Sequence, residues 1–420
     1  MKLTRALKVA PRTAVIVIPT YNEATIITKM IRHLFDHTLP SIHEWAVHVV
    51  IVDGNSPDGT ADQVRMLQGE LEGLHLIVEQ EKEGIGAAYF KGFEYAVKEL
   101  AADVFIEFDG DFQHPTAIIP ILLQKIDAGA DLVLGSRRIP GGSYPSGWGF
   151  KRLFLSRAGG FVARFLLFFP TRAFFRVSDP TTGLKATRVA GYYDRMNFDS
   201  FYTRGFGYKV EMLYRLLRLG ARVAEVPLRF GLRVAGESKI TSQTPAEIFK
   251  TVFHLRWHDE VTRRFLRFGI VGFFGFLVNA LTLELFAHAA FTQSIARLFA
   301  GLAEHRVLGF VAQQSAWSAA FAAECAIVSN YIWNNFWTFS KHRARRLSQF
   351  VVNFLKFNLT SGGAILLQFG CIGLAIHLLA DTTLVRQIAL VLTIVFVIIP
   401  YNWLMYNKII WKTSISKNLS

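Results

Sequence analysis

The apolar residues of this 420-residue chain are unevenly spread, and that unevenness limits the folds open to it. Up to about Thr262 charges occur throughout and the sequence reads as globular. Beyond it come runs with few charges, near Phe268–Ala290, Leu308–Trp333, Phe354–Ala380 and Gln387–Met405. Each is close to the ~20 residues a helix needs to cross a bilayer core. The pattern predicts a globular part followed by a membrane part with four spans. Arg263, Arg264 and Arg267 precede the first span, Lys341, Arg343, Arg345 and Arg346 separate the second from the third, and Lys408, Lys412 and Lys417 follow the fourth. Basic residues mark the cytoplasmic side, and an even number of spans puts all three groups there. The opposite loops hold Arg297, Arg306 and Arg386. Met1 to Val15 carries basic residues and no long apolar stretch, so the first domain and both termini are expected in the cytoplasm.

The formal net charge is +14. No nucleic-acid motif accompanies it, and many of the basic residues flank membrane-like runs. Attraction to anionic lipid accounts for the charge, and no nucleic-acid partner is expected. Cys325 and Cys371 both lie in apolar runs and read as small packing residues, with no disulfide framework.

In the globular part, short apolar runs alternate with helical patterns. Ala14–Ile18, Val47–Val52, Leu74–Val78, Val104–Phe108 and Asp131–Gly135 read as buried strands. Helices are expected near Ala24–Phe35, after Thr60, and over Gly86–Leu100 and Ile118–Ala128. Such alternation predicts a mostly parallel α/β sheet, Rossmann-like, with helices on both faces. Ligands of such sheets bind at the carboxyl ends of the strands. Tyr21, Asp53 and Asp109 fall at those ends.

Asp109-Gly110-Asp111 leaves the strand at Val104–Phe108. Two carboxylates one residue apart, with the neutral oxygen of Gln113 two residues on, suit a hard divalent cation, although an Asp-Gly turn after a strand is also ordinary turn chemistry. Trp148–Arg176 interleaves phenylalanines with arginines, as a helix lying on a bilayer does; a core helix with snorkelling arginines is the other reading. Pro245–Trp257 repeats the theme, with Ile248, Phe249, Val252 and Phe253 on one helical face.

Taken in order, these segments resemble a known family. Pro19-Thr20-Tyr21-Asn22-Glu23 and Val52-Asp53-Gly54-Asn55-Ser56-Pro57-Asp58-Gly59-Thr60 look like the opening of a family-2 glycosyltransferase, and Asp109-Gly110-Asp111-Phe112-Gln113-His114-Pro115 is similar to its metal motif. Gly84–Tyr89, Gly135-Ser136-Arg137, Asp179-Pro180-Thr181-Thr182-Gly183 and Gly236-Glu237-Ser238-Lys239 resemble the dolichol-phosphate (polyprenol-phosphate) mannose synthases in particular. Asn330–Phe339 and Tyr401-Asn402-Trp403 resemble the GtrA-like membrane domains. The resemblance implies a GT-A catalytic domain over 1–240, an interfacial linker over 241–262 and a four-span domain over 263–420. It implies GDP-mannose as donor and the phosphate of a dolichyl- or undecaprenyl-type lipid as acceptor. Pro19, Tyr21, Glu23 and Asp53 would hold base and ribose, with Gly110, Arg233 and Lys239 also at the nucleotide sugar. Asp109, Asp111 and Gln113 would bind magnesium or manganese. Arg137, Arg152 and Ser156 match the lipid-phosphate site. The family often has two adjacent acids where this chain has Asp53-Gly54; by itself Asp53 reads as a strand-end turn acid.

The residues also make chemical sense by themselves. A departing nucleoside diphosphate gains negative charge that a cation stabilises. A phosphate monoester with a second pKa of ~6 is mostly ionised near neutrality and needs no general base. It needs cationic positioning, which arginine supplies, and direct attack predicts inversion. Two other readings stand beside this one: a UDP-glucose-dependent polyprenyl-phosphate glucosyltransferase, and a lipid-carrier translocase or scaffold with an inactive transferase domain. Glu284 and Glu324 fall within spans, where acids are costly, and a polar cluster between the first two spans, with Asn279 or His288, is expected to hold them.

Overall fold

The computed structural model describes residues 12–168, 171–233, 244–305, 312–379 and 383–413. The chain divides into two compact units at Trp257/His258.

The first unit is built on a seven-stranded sheet. Its strands are β1 (Arg12–Thr20), β2 (Trp45–Asp53), β3 (Leu74–Val78), β4 (Val104–Glu107), β5 (Leu132–Ser136), β6 (Lys185–Arg188) and β7 (Val223–Pro227), in the spatial order β3-β2-β1-β4-β6-β5-β7. Val, Ile and Leu runs at the centre are buried on both faces, as a sheet covered by helices requires. The covering helices are α1 (Ile27–His33), α2 (Thr60–Gln68), α3 (Ile85–Lys98), α4 (Ile119–Asp127), α5 (Phe150–Phe168), α6 (Arg172–Arg176), α7 (Tyr208–Arg218) and α8 (Thr244–His258). The mostly parallel α/β sheet expected from the sequence is present. Thr20 pairs with Asp53, and Asp53 with Val78, so these strands end together on one rim.

One strand departs from the parallel pattern. β6 runs antiparallel to both β4 and β5 and sets Lys185 opposite Glu107. Their side chains meet at 2.9 Å, both fully buried, and the Tyr208 hydroxyl donates to the same Glu107 oxygen at 2.8 Å. An ion pair at that depth needs such extra bonds to offset desolvation.

The Phe- and Arg-rich segment forms α5 and α6. Ala163, Leu167 and Phe168 of α5 enter the core, while Phe150, Phe154, Phe161 and Phe165 are exposed. On α8 the expected single apolar face is split. Val252 is buried and Ile248 packs against the core, whereas Phe249, Phe253 and Trp257 are exposed. Glu247 fixes this helix to the unit by accepting from Thr203 Oγ1 at 2.7 Å and Gly207 N at 3.1 Å.

The second unit is helical: α9 (Glu260–Ala287), α10 (Ala290–Leu298), α11 (Gln314–Trp333), α12 (Leu347–Leu378), α13 (Thr383–Thr393) and α14 (Ile399–Met405). Among the described residues three stretches are long and apolar enough to cross a membrane, Glu260–Ala287, Leu347–Leu367 and Val391–Ile410. The last ends beyond the Met405 expected, because a π-helical turn at Tyr406–Ile410 carries the helix onward. The run expected at Leu308–Trp333 lies partly outside the described residues; its described part is α11, which carries Gln314, Ser315, Ser318 and Glu324.

Of the cluster expected around Glu284 and Glu324, the described residues show the contact with His288 but no bond from Glu324 to the first span. Glu284 lies 3.1 Å from His288, one turn on along α9, whereas Glu324 accepts from Asn358 of α12 at 2.8 Å.

Candidate active site

The rim of the first unit opens into a cavity of about 1400 Å³. The acidic turn enters it from β4. Space beside Gly110 is tight, since a Cβ there would meet Ile18 Cγ2 at 3.1 Å. Phe112 sits at φ +60°, and Asp111 Oδ1 accepts the Gln113 amide at 3.0 Å, closing the turn. Both carboxylates thereby face the cavity.

The two acids differ in their surroundings. The Tyr89 hydroxyl donates to Asp109 Oδ1 at 3.3 Å, and Lys209 Nζ lies 3.8 Å from the same oxygen. Burial opposes ionisation of Asp109, but Lys209, then His114 and Tyr89, hold its pKa down at about 2. For Asp111 burial comes first and the charge of Asp109 second. Together they push it up to about 6 against the pull of Arg233. His114 is buried, and its Nδ1 accepts the Asp109 amide at 3.3 Å, which leaves Nε2 facing Asp109 Oδ2 at 3.8 Å. Burial outweighs Asp109 and lowers its pKa to about 4, so the ring is neutral at pH 7. Two crowded carboxylates, one of them resisting ionisation, form a donor set whose repulsion a divalent cation relieves. The residues therefore fit the expected metal.

Arg233 closes the other side. Its Nη2 lies 2.7 Å from Asp111 Oδ2 and its Nη1 3.4 Å from Glu23 Oε1. Gln113 holds this loop in place, since its side-chain Nε2 donates to Gly231 O at 3.3 Å and its carbonyl accepts Gly231 N at 2.8 Å. Pro19, Tyr21, Glu23, Gly110 and Gln113 all line the cavity, as do Glu79 and Lys82. Lys82 Nζ sits 3.8 Å over the Tyr21 ring.

Two expected residues are engaged by partners within the protein. Asp53 is fully buried beneath the rim. It accepts from Thr20 Oγ1 at 2.8 Å, Ser56 N at 2.8 Å and Ser56 Oγ at 2.7 Å, which satisfies it within its own turn and away from the cavity lining. Arg137 does line the cavity, but its Nε and Nη2 form a forked pair with Asp179 at 2.7 and 2.8 Å. Burial works against Asp179, and Arg137 nevertheless holds its carboxyl below the usual range. That guanidinium is committed to the fold. Lys239 lies outside the described residues.

Arg152 and Ser156, one turn apart on α5, both line the cavity. Arg152 lies 4.1 Å over the Trp148 ring. Arg138 anchors this part of α5, donating to the carbonyls of Ser156 at 2.8 Å and Arg157 at 3.1 Å.

Sequence reasoning gave no role to Lys209, Tyr89, Arg138, Glu79 or Lys82. Lys209 comes from α7, a hundred residues beyond Asp109, and no local pattern marks it. Tyr89, His114 and Asp179 stand inside recognised motifs, so their motif membership was the available signal.

Comparison with known proteins adds to this geometry. The model for "Glycosyl transferase family 2" matches residues 15–183, and that for "GtrA/DPMS, transmembrane domain" matches residues 305–411. A dolichol-phosphate mannosyltransferase of Pyrococcus furiosus is 29% identical over 355 residues, covering 81% of this chain and 89% of its own. An undecaprenyl-phosphate mannosyltransferase of Micrococcus luteus is 35% identical over 241 residues, 57% of this chain and 92% of its own. A polyprenol monophosphomannose synthase of Mycolicibacterium smegmatis is 32% identical over 235 residues, 55% of this chain and 82% of its own.

Proposed function

The chain belongs to glycosyl transferase family 2, among its polyprenyl-phosphate mannosyltransferases, and from that premise we propose that it transfers mannose from GDP-mannose to the phosphate of a polyprenyl lipid with inversion at the anomeric carbon. The observation that carries this reading is that one cavity contains both the Asp109/Asp111 pair and the Arg152/Ser156 face of α5. The first group suits a nucleoside diphosphate, the second a phosphate monoester.

Pro19, Tyr21 and Glu23 with Lys82 line the part of the rim suited to the nucleoside. Asp109 and Asp111 would hold magnesium or manganese, with Gln113 beside them. When bound, the cation supplies charge stabilisation for the departing diphosphate. Arg233 supplies a second positive charge for the same oxygens. Lys209 keeps Asp109 ionised, and Tyr89 orients it. On the acceptor side Arg152 and the Ser156 hydroxyl would hold the lipid phosphate against the anomeric carbon, and positioning of that kind supplies a large part of the barrier reduction. No side chain need remove a proton, because the nucleophile is already ionised.

A polyprenyl tail stays in the bilayer, since each CH₂ is worth about 0.8 kcal/mol of burial. The exposed phenylalanines of α5 and α8 suit a membrane surface. A four-span anchor with the catalytic unit and both termini on the cytoplasmic side agrees with this reading.

The test is transfer by the purified full chain. Radiolabelled GDP-mannose and UDP-glucose are each offered with a polyprenyl phosphate, with and without a chelator. Mannosyl-lipid that forms from GDP-mannose and stops on chelation is the expected result. Glucosyl-lipid in its place would overturn the donor, and chelator-resistant transfer the metal.

A further inference from the structure

The membrane unit contains the same helix pair twice. Phe265-Leu266-Arg267-Phe268 of α9 recurs as Phe354-Leu355-Lys356-Phe357 of α12. Asn330, Asn335 and Phe339 at the end of α11 recur in the same spacing as Asn402, Asn407 and Trp411. The backbone repeats too. A π-helical turn covers Asn334–Thr338 in the first pair and Tyr406–Ile410 in the second. Each is closed by the same bond, Phe339 N to Asn334 O at 2.8 Å and Trp411 N to Tyr406 O at 2.9 Å.

Matching positions make matching contacts across the two pairs. Phe265 meets Trp403 at 5.2 Å between ring centroids, and Phe354 meets Tyr331 at 5.4 Å. Phe268 meets Trp403 at 5.6 Å, and Phe357 meets Tyr331 at 5.5 Å. Phe339 and Trp411, equivalent to each other, stack at 4.2 Å with planes 3° apart. The buried positions agree as well: Arg264, Phe268, Val271 and Gly275 of α9 correspond to Asn353, Phe357, Thr360 and Ala364 of α12. Such an interface is self-complementary, as between two copies of one element.

The copies differ at one end. In the first, the helix start carries its own anions. Asp259 accepts Thr262 N at 2.9 Å, and Glu260 is paired with Arg264 at 3.1 Å and Lys341 at 3.0 Å. The same register puts Ser348 and Gln349 at those two positions of α12, and Asn353 in place of Arg264. The first turn of α12 has no acid, and its N-cap, Arg346, makes no side-chain cap bond. Instead a wide-open surface recess of about 550 Å³ lies there, lined by Arg343, Arg345, Arg346, Ser348, Gln349 and Val352. Among the described residues none of the three guanidinium groups forms a hydrogen bond or ion pair, so no carboxylate neutralises them. The loop between them is pinned by its buried middle residue, Ala344, whose N–H donates to Asn335 Oδ1 at 3.0 Å. Three exposed arginines thus line one recess at a helix N-terminus, at the end of an apolar span.

We propose that this recess binds a phosphate group, in the position where the first helix pair uses the carboxylates of Asp259 and Glu260. Arginine forks and free helix-end N–H groups both select oxyanions, and a phosphate offers oxygens to each. The place at the end of Leu347–Leu367 is headgroup depth, where lipid phosphates lie. Lipid headgroups and free phosphate share this chemistry, and the test separates them.

The full chain, purified in neutral detergent, is offered phosphatidylglycerol, phosphatidylcholine or inorganic phosphate. Bound lipid is read by native mass spectrometry and phosphate protection by the thermal midpoint. Retention of phosphatidylglycerol is expected to fall at least tenfold in the triple variant Arg343→Gln/Arg345→Gln/Arg346→Gln. It should fall equally in Ser348→Asp/Gln349→Glu, which keeps every arginine and restores the acids of the first copy, so that loss of binding there is not loss of folding. Protection by inorganic phosphate without lipid retention, abolished by the same variants, supports the site and assigns it to a soluble source. Binding of neither probe, or binding that both variants retain in full, overturns the proposal.

Discussion

Arg233 Nη2 stands 2.7 Å from Asp111 Oδ2, although the two residues leave the fold on different loops. The contact joins the acidic turn after β4 to the segment after β7. It gives the guanidinium two duties, to neutralise an acid that burial has made reluctant to ionise, and to stand over the oxygens of a bound diphosphate. Arg233→Gln removes both. Turnover should drop by about 10² to 10³, the range seen when one preorganised donor to a developing charge is lost. Affinity for magnesium should not fall, because a competing cation has gone as well. Steady-state transfer and metal titration of the same variant check the two halves separately, and a parallel fall in both would contradict this division of roles.

Metal binding should depend on pH through Asp111. Its pKa stands at about 6 and that of Asp109 at about 2, so above pH 6 both carboxylates are ionised. Below it Asp111 takes up a proton that a cation must displace. Manganese affinity should therefore decline roughly tenfold per pH unit below about 6. Calorimetric titration at several pH values between 5 and 7.5 reads the slope; a flat profile would exclude Asp111 as a ligand.

The same shift makes a statement about stability. A carboxyl whose folded pKa lies above its unfolded value of 3.8 binds protons more tightly when folded. Ionised Asp111 thus costs stability as pH rises through 6, and the metal-free chain carries that cost at neutral pH. Asp111→Asn should raise the thermal midpoint of the chelator-treated protein at pH 7.5 while abolishing transfer. At pH 4.5, where Asp111 is protonated already, the gain should shrink.

How much of this was readable beforehand depended on the range of the interaction. The strands at Ala14–Ile18, Val47–Val52 and Leu74–Val78 were legible because a two-sided buried strand needs a continuous apolar run, and little else makes one. The acidic turn was legible because Asp109, Gly110 and Asp111 are neighbours in the chain. The burial of Asp53 beneath the rim was not legible, because the bonds that satisfy it come from Thr20 and Ser56, whose hydroxyls give no sign in sequence of which way they point. The fork between Arg137 and Asp179 was not legible for a related reason: both residues were in view, but nothing local says that the two meet. The antiparallel strand β6, with Lys185 facing Glu107, was missed because four residues, Lys-Ala-Thr-Arg, carry no period.

The acceptor site separates two arginines that looked alike in sequence. Arg152 lies over Trp148 with no acid paired to it among the described residues, so its charge is available to a lipid phosphate. Arg137 is fork-bonded to buried Asp179. Arg152→Ala should raise the KM for polyprenyl phosphate about 10- to 100-fold, the worth of a charged hydrogen bond, and leave the GDP-mannose KM nearly unchanged. Arg137→Ala should instead lower the thermal midpoint by stranding Asp179. A variant of Arg152 that melted early, or one of Arg137 that kept full stability and lost acceptor affinity alone, would reverse the assignment.

Beneath the site, Lys185, Glu107 and Tyr208 form a buried group that no substrate reaches, and it sets the floor on which Asp109 stands. Lys185 Nζ and the Tyr208 hydroxyl both serve the same Glu107 oxygen, and β4 passes from Glu107 directly into the acidic turn. Burial lowers the Lys185 pKa against the pull of Glu107, so the pair holds its charges at some cost. Lys185→Met should destabilise the first unit by about 3–5 kcal/mol, because it leaves a buried carboxylate without its counterion. Adding Glu107→Gln removes the stranded charge and should recover most of that loss. Thermal unfolding of the full chain for the two single variants and the double variant gives the coupling directly. If the double variant is no more stable than Lys185→Met, the loss comes from packing and the ion pair contributes nothing.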